Sequence, residues 1–275
     1  MSELNSLFDV KDQVVAVTGG AGVLCGEMAK ALAKAGAKVA VLDFNVEGGQ
    51  KLADEINADG GTAVAVFCNV LEKDSIQKAH DETVEKLGPV DVLINGAGGN
   101  RKEATCVPPE SFFFDLDTDA IQWVMNLNCM GTMVPSMVFG KAMAERKKGN
   151  IINISSMNAF TPLTRIAAYS AAKAAVSNFT QWLATYMAQN HSPEIRVNAI
   201  APGFFLTEQN RFLLTNEDGS MTPRGQQIVD GTPMARYGSP EELVGTLIWL
   251  MGEGSRFVTG IVVPVDGGFA AYSGV

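Results

Sequence analysis

Tyr169 and Lys173 stand four residues apart in Tyr169-Ser170-Ala171-Ala172-Lys173, and Ser156 lies thirteen residues upstream. Residues at that spacing share one face of a helix, so phenol and ammonium would be presented together. A free phenol titrates near ~10, and a neighbouring cation favours its ionised form. Such a pair is an acid/base able to pass a proton to or from an alcohol oxygen. Ser156 follows the apolar run Ile151-Ile152-Asn153-Ile154, where the tip of a strand would set its hydroxyl beside that pair. The same spacing also fits a plain helix surface, so the rest of the chain must decide.

The elements that would hold these groups alternate. Short apolar runs at 13–17, 38–42, 62–67, 90–94, 150–154, 195–200 and 261–265 read as buried strands. Helical stretches are expected at 28–35, up to 58, at 72–87, at 119–146 with a kink at Pro135, around Tyr169, and at 239–251. Apolar strands separated by helices imply an α/β fold. The expectation is a single-domain, Rossmann-type, doubly wound parallel sheet of about seven strands with helices on both faces, spanning 1–275. Two stretches break the rhythm, 99–118 and 203–232. The second follows the sixth strand at the carboxyl edge of the sheet, where ligands bind in such folds, and is expected to be a substrate loop.

Between the first strand and first helix runs Thr18-Gly19-Gly20-Ala21-Gly22-Val23-Leu24-Cys25-Gly26. Glycines there let the backbone approach a pyrophosphate, and the helix N-terminus offers N–H groups and a positive dipole end. Asp43 ends the second strand, where its carboxylate can accept both ribose hydroxyls and would repel a 2′-phosphate. With no Arg or Lys in Leu42-Asp43-Phe44-Asn45, the expected cofactor is NAD.

A chain of 275 residues that is 47% hydrophobic can bury a large core, and a charged fraction of 19% argues against disorder. A net charge of −9 gives no support to nucleic-acid binding, and no apolar run approaches the ~20 residues of a membrane span. Cys25, Cys68, Cys106 and Cys129 lack C-x-x-C or metal spacing, so no metal is expected. With a polar N-terminus free of an export core, the expectation is a reduced, cytoplasmic protein.

Together these motifs resemble the short-chain dehydrogenase/reductase family from about Lys11 to Gly268. The resemblance includes the glycine turn, Asn95-Gly96-Ala97-Gly98 where the family has Asn-Asn-Ala-Gly, and Asn128 on the long helix. It also includes Ser156, Tyr169 and Lys173, then Pro202-Gly203 with Thr207, and the closing Asp266-Gly267-Gly268. The resemblance implies Tyr169 as general acid/base and Lys173 as the group that lowers its pKa and binds the nicotinamide ribose. It further implies Ser156 as hydrogen-bond partner of the substrate oxygen and Asn128 as holder of a relay water. Cofactor contacts are implied for Gly19, Gly22, Val23, Leu24, Asp43, Asn69, Val70, Asn95, Ala97, Gly98, Pro202, Gly203 and Thr207. Two features depart from the family pattern. Val23 and Cys25 occupy its second and third glycine positions, and Asn69 replaces the common Asp before Val70.

The altered turn, together with Phe204-Phe205-Leu206-Thr207-Glu208-Gln209-Asn210-Arg211, is similar to the D-mannonate oxidoreductase (fructuronate reductase) branch of the family. That branch implies interconversion of D-fructuronate and D-mannonate with NAD(H). A sugar acid asks for a cation and polar side chains near Ser156. Arg211, Arg101, Lys102 and Arg165 are candidates for its carboxylate, and Asn158 for a hydroxyl. Gluconate 5-dehydrogenase or another polyol dehydrogenase is the competing enzyme reading, with a ketoacyl reductase behind it. A non-catalytic dinucleotide sensor is the alternative outside enzymes. The family and closed symmetric assembly both imply a homo-oligomer, a tetramer or a dimer.

Overall fold

The computed structural model describes residues 3–207 and 211–274. After a short helix α1 (Glu3–Ser6), the chain alternates strand and helix: β1 (Val14–Thr18), α2 (Val23–Lys34), β2 (Lys38–Asp43), α3 (Val46–Ala58), β3 (Thr62–Phe67), α4 (Lys73–Leu87) and β4 (Val92–Asn95). Then come α5 (Thr118–Met125), a π-helical turn Asn126–Met130, α6 (Gly131–Arg146), β5 (Gly149–Ile154), α7 (Ala167–Asn190), β6 (Ile195–Pro202), α8 (Arg211–Leu214), α9 (Pro223–Asp230), α10 (Val244–Met251) and β7 (Val262–Val265).

The strands form one sheet in the order β3-β2-β1-β4-β5-β6-β7, every pair parallel. Side chains alternate between its two faces, and both faces are covered. Val15, Val17, Val39 and Val41 pack with Met28 and Leu32 of α2 and Leu247 and Leu250 of α10. Val14, Ala16, Ala40 and Leu42 pack with Val138 and Phe139 of α6 and Leu183 of α7. Fully burying one such side chain contributes about 1.5–3 kcal/mol, which is why the strands read as unbroken apolar runs. β1 lies between β2 and β4, so the direction of winding reverses there and a crevice opens at the carboxyl ends.

Several elements depart from the sequence expectation. α2 begins at Val23, not at 28, because Gly22 is its N-cap and the glycine turn runs straight into the helix. The expected 119–146 helix is interrupted at the π-helical turn and not at Pro135, which sits inside α6. The expected 239–251 helix is a 3₁₀ turn, Pro240–Leu243, followed by α10. The stretch 203–232 is partly helical rather than an irregular loop, since Leu214, Ile228 and Val229 are buried and hold α8 and α9 down. Among the described residues, no helix is long and apolar enough to cross a membrane.

Candidate active site

Ser156 leaves the tip of β5 and caps a 3₁₀ turn, accepting a 3.3 Å hydrogen bond from the Asn158 N–H. Tyr169 and Lys173 occupy the first two turns of α7, which packs against β6 and delivers both side chains to the carboxyl edge. Lys173 is buried, and its Nζ donates to the Ile154 carbonyl at 2.8 Å while lying 5.6 Å from the Tyr169 ring centroid. Ser155 secures the same helix through Oγ, which donates to the Lys173 carbonyl at 3.2 Å and shares a 2.7 Å bond with Ser177 Oγ.

The electrostatics differ from those of a free phenol–ammonium pair. Burial raises the Tyr169 phenol above its usual value, and the Ser156 hydroxyl opposes that shift. This is the reverse of the direction expected from Lys173 alone. Burial also lowers the Lys173 ammonium to about 8, which weakens its effect as a fixed cation. At neutral pH the phenol therefore keeps its proton and the ammonium is near its own titration.

Asn128 sits in the π-helical turn, fully buried. Its amide Nδ2 donates to the Gly99 carbonyl at 2.7 Å and the Val124 carbonyl at 2.8 Å, and Oδ1 accepts from the Gly99 N–H at 3.2 Å. The amide thus clamps the chain after β4 against the turn. A Cβ added at Gly98 would lie 2.7 Å from Asn128 Oδ1 and 3.3 Å from Lys173 Nζ, so these three residues form one contact. The Asn128 carbonyl accepts from Thr132 Oγ1 at 2.9 Å.

A cleft of about 840 Å³ joins these groups to the glycine turn. Of the residues singled out from sequence, Gly19, Gly22, Val23, Leu24, Asp43, Asn69, Val70, Ala97, Gly98, Ser156, Tyr169, Lys173, Pro202 and Gly203 line it. Gly19 has φ +64°, and a Cβ there would lie 2.7 Å from Ala97 Cα, so the turn needs glycine at this position. Gly22 caps α2 with no side-chain bond, leaving the N-terminal amides of the helix for an anion. Asp43 Oδ2 accepts from the Ala21 N–H at 2.9 Å and Oδ1 from the Asn45 N–H at 2.8 Å. One carboxylate therefore fixes the turn and closes the end of the groove, with lone pairs left for hydroxyl donors. The groove, the helix end and the carboxylate fit a dinucleotide.

The variant turn has its own packing. Cys25, at a position where the family has glycine, points its Sγ into the space that a side chain at Gly96 would fill. Burial drives the Cys25 and Cys68 thiols up to about 12, so neither is a nucleophile at neutral pH. All four cysteines are free.

Other expected residues fall outside the cleft wall. Asn95 is buried in the sheet, its Nδ2 donating to Ser136 Oγ and Asn153 Oδ1 at 2.9 Å each, so its side chain braces β4 against β5 and α6. Thr207 is half-buried, and its carbonyl accepts from the Arg211 N–H at 2.9 Å at the end of a segment whose Glu208-Gln209-Asn210 lies outside the described residues. Asn158 is turned inward, and its Oδ1 accepts from the Leu163 N–H at 3.1 Å. Arg101 lies with its guanidinium 4.0 Å over the Trp123 ring. Arg211 opens α8, while Lys102 and Arg165 are exposed.

Trp123 and Leu127 form part of the cleft wall and were not singled out from sequence. Their i, i+4 spacing, ending at the residue just before Asn128, is the available signal, but it also reads as helix core.

The comparisons with known proteins agree with this geometry. The family described as "short chain dehydrogenase" matches residues 13–218. An uncharacterized oxidoreductase, UxuB, of Bacillus subtilis (strain 168) is 50% identical over 94% of this chain and 95% of its own. A crystal structure from Haemophilus influenza, a candidate D-mannonate oxidoreductase with bound NAD, is 49% identical with a TM-score of 0.91, covering 97% of this chain and 98% of that one. A gluconate 5-dehydrogenase from Burkholderia cenocepacia J2315, solved with NADP and tartrate, is 30% identical with a TM-score of 0.85, covering 98% of this chain and all (100%) of that one. With Ser156, Tyr169 and Lys173 lining one cleft with the glycine turn, and the family model matching residues 13–218, the chain belongs to the short-chain dehydrogenase family of oxidoreductases.

Proposed function

We propose that the protein interconverts D-fructuronate and D-mannonate with NAD(H), using Tyr169 as general acid/base. The observation that carries this reading is the meeting of Ser156, Tyr169 and Lys173 on one cleft with the glycine turn and Asp43. When bound, the nicotinamide supplies the hydride donor or acceptor. Ser156 Oγ binds the substrate oxygen, and the phenol, kept protonated by burial, gives that oxygen a proton in the reductive direction. In the oxidative direction Tyr169 takes the proton back. Lys173, anchored on the Ile154 carbonyl, holds the ribose hydroxyls and restores the proton to Tyr169. The Asn128 main chain, in the π-helical turn, holds a water that links this lysine to solvent.

NAD rather than NADP is favoured by Asp43, whose negative charge at the groove end opposes a 2′-phosphate. The sugar-acid assignment draws on the similarity to the Haemophilus structure. The chain 203–232 acts as the substrate loop. Arg101, stacked over the cleft-wall residue Trp123, supplies a positive charge for an anionic substrate. Exposed Trp182 and Tyr186, stacked with half-buried Phe179 on α7, support a homo-oligomer, and four free thiols fit a cytoplasmic setting.

The second reading is a gluconate 5-dehydrogenase, supported by the Burkholderia relative. A non-catalytic sensor would not need the proton-handling groups. The deciding experiment incubates the protein with NADH and D-fructuronate, then with 5-ketogluconate, and follows the nicotinamide absorbance. Loss with fructuronate supports the first reading, and loss only with ketogluconate supports the second. No loss with any hexuronate or ketohexonate ends both.

A further inference from the structure

Two asparagines stand side by side on neighbouring strands: Asn95, the last residue of β4, is in register with Asn153 of β5. Two residues upstream on the same faces, Leu93 and Ile151 belong to the apolar core that α6 and α7 cover. Amides placed there are costly unless hydrogen-bonded. Asn95 Nδ2 donates to Ser136 Oγ of α6 and to Asn153 Oδ1, both at 2.9 Å, and Asn153 Nδ2 donates to Thr180 Oγ1 of α7 at 2.8 Å. The hydroxyls continue the run. Thr180 Oγ1 donates to the Val176 carbonyl at 2.8 Å, Ser136 Oγ to the Thr132 carbonyl at 2.8 Å, and Thr132 Oγ1 to the Asn128 carbonyl at 2.9 Å. Asn95, Asn128, Thr132, Ser136, Asn153 and Thr180 are each no more than 3% exposed.

The run has one direction. Both amide protons of Asn95 are used, and turning the Asn153 amide over would set one NH2 against another. Sliding α6 or α7 along the sheet would therefore break directional bonds, where apolar contact alone is non-directional. Its ends lie beneath the reactive groups. Asn128 holds Gly99 and meets Gly98 beside Lys173. Lys173 Nζ reaches the Ile154 carbonyl while Thr180, two turns later on the same face of α7, receives Asn153, so that face is tied to β5 at two points. Ser156 follows directly on this part of β5. Groups that must meet in a reaction need hydrogen bonds behind them that hold their geometry to about 0.5 Å.

We propose that Thr132, Ser136, Asn153 and Thr180 are positioning residues. Through Asn95 they lock α6 and its π-helical turn to α7, and so fix Tyr169 and Lys173 relative to Ser156 and Asn128. The role goes beyond the assigned reaction and rests on its use of Tyr169 and Lys173, whichever sugar acid is reduced.

The test is hydrogen exchange read by mass spectrometry on the full chain with NADH, comparing wild type with Thr180→Val, Thr180→Ser, Ser136→Ala and Leu183→Val. Leu183→Val is the control, since it trims apolar packing on α7 without touching the run. Thr180→Val should raise exchange about tenfold in the π-helical turn Asn126–Met130, and Ser136→Ala should raise it as much in the first two turns of α7. Neither substitution lies in the segment where its effect is read. Thr180→Ser should restore wild-type exchange, and Leu183→Val should leave the π-helical turn unchanged. If Thr180→Val does not fold, Ser136→Ala read in α7 decides alone. Exchange that rises only in the helix carrying the substitution would overturn the proposal. Turnover of D-fructuronate with NADH adds a second arm: Thr180→Val should lower kcat about tenfold with KM for NADH within about twofold, and Thr180→Ser should recover it. A wild-type kcat in Thr180→Val would also overturn the positioning role. If wild type reduces no sugar acid, the assigned reaction falls and the exchange result still decides the run.

Discussion

Cys25 Sγ occupies the space beside Gly96 where any side chain at position 96 would have to lie. The turn after β1 and the turn after β4 are therefore packed as one unit: a sulfur on the first is matched by the missing side chain on the second. Thr18 Oγ1 completes the joint by accepting from the Gly96 N–H at 3.1 Å.

Gly96→Ala should cost about 1–3 kcal/mol of stability through overpacking. It should also weaken NADH binding, read from the fluorescence of Trp123 in the cleft wall. Adding Cys25→Ala should recover part of the loss, because Sγ is gone. Recovery will be incomplete, since the Thr18 carbonyl would still lie 2.9 Å from the new Cβ. Strictly additive losses in a double-mutant cycle would show that the two positions are not coupled.

Tyr169→Phe keeps the ring and removes the proton. Turnover should fall by at least about 100-fold while NADH affinity stays within about twofold, as expected when a general acid/base is lost. Full activity in this variant would remove Tyr169 from the chemistry.

Lys173 gives a pH signature in the cofactor-free protein. Its folded value is about 8 against a usual 10.5, so between these limits the unfolded chain binds more protons. Stability from this group therefore rises as pH increases through that window. Cys25 and Cys68 act in the opposite sense above 9, because burial moves their thiols from 9.0 to about 12. The clean interval is pH 8 to 9. Lys173→Met should be stabilised relative to wild type at pH 7, with the gap in melting temperature narrowing towards pH 9; a gap that stays constant would contradict the buried-ammonium assignment.

Asp43→Asn removes the charge and keeps one acceptor. NADH affinity should fall by roughly 10- to 100-fold, from the loss of charge-assisted bonds, while NADPH affinity should hold or rise. Equal preference for the two cofactors in wild type would place Asp43 away from the ribose.

Asn128→Ala leaves the Gly99 N–H and carbonyl and the Val124 carbonyl without their partner. A loss of about 1–3 kcal/mol follows, mainly from stranding the buried Val124 carbonyl, since the half-buried Gly99 groups line the cleft and can turn to water. Turnover should drop as the Gly98 backbone relaxes beside Lys173, and kcat should suffer more than KM.

Trp182 is 57% exposed and stacks on Tyr186 with ring centroids 5.0 Å apart. Trp182→Glu should shift the protein to a smaller species in analytical ultracentrifugation if α7 forms the contact between copies. An unchanged sedimentation profile would move that contact elsewhere.

The sequence by itself determined the alternation of strands and helices, the parallel sheet, the glycine turn and the identities of Ser156, Tyr169 and Lys173. Those features depend on local periodicity and on residue types that few other positions could supply. Only the tertiary structure showed that Asn95 braces the sheet, that Asn158 faces inward, and that the long helix opens into a π-helical turn at Asn128. Each of these depends on which side chain a distant segment leaves unpaired, and burial sets the direction of every shifted pKa in the cleft. Linear spacing records neither, because both arise from contacts between residues dozens of positions apart.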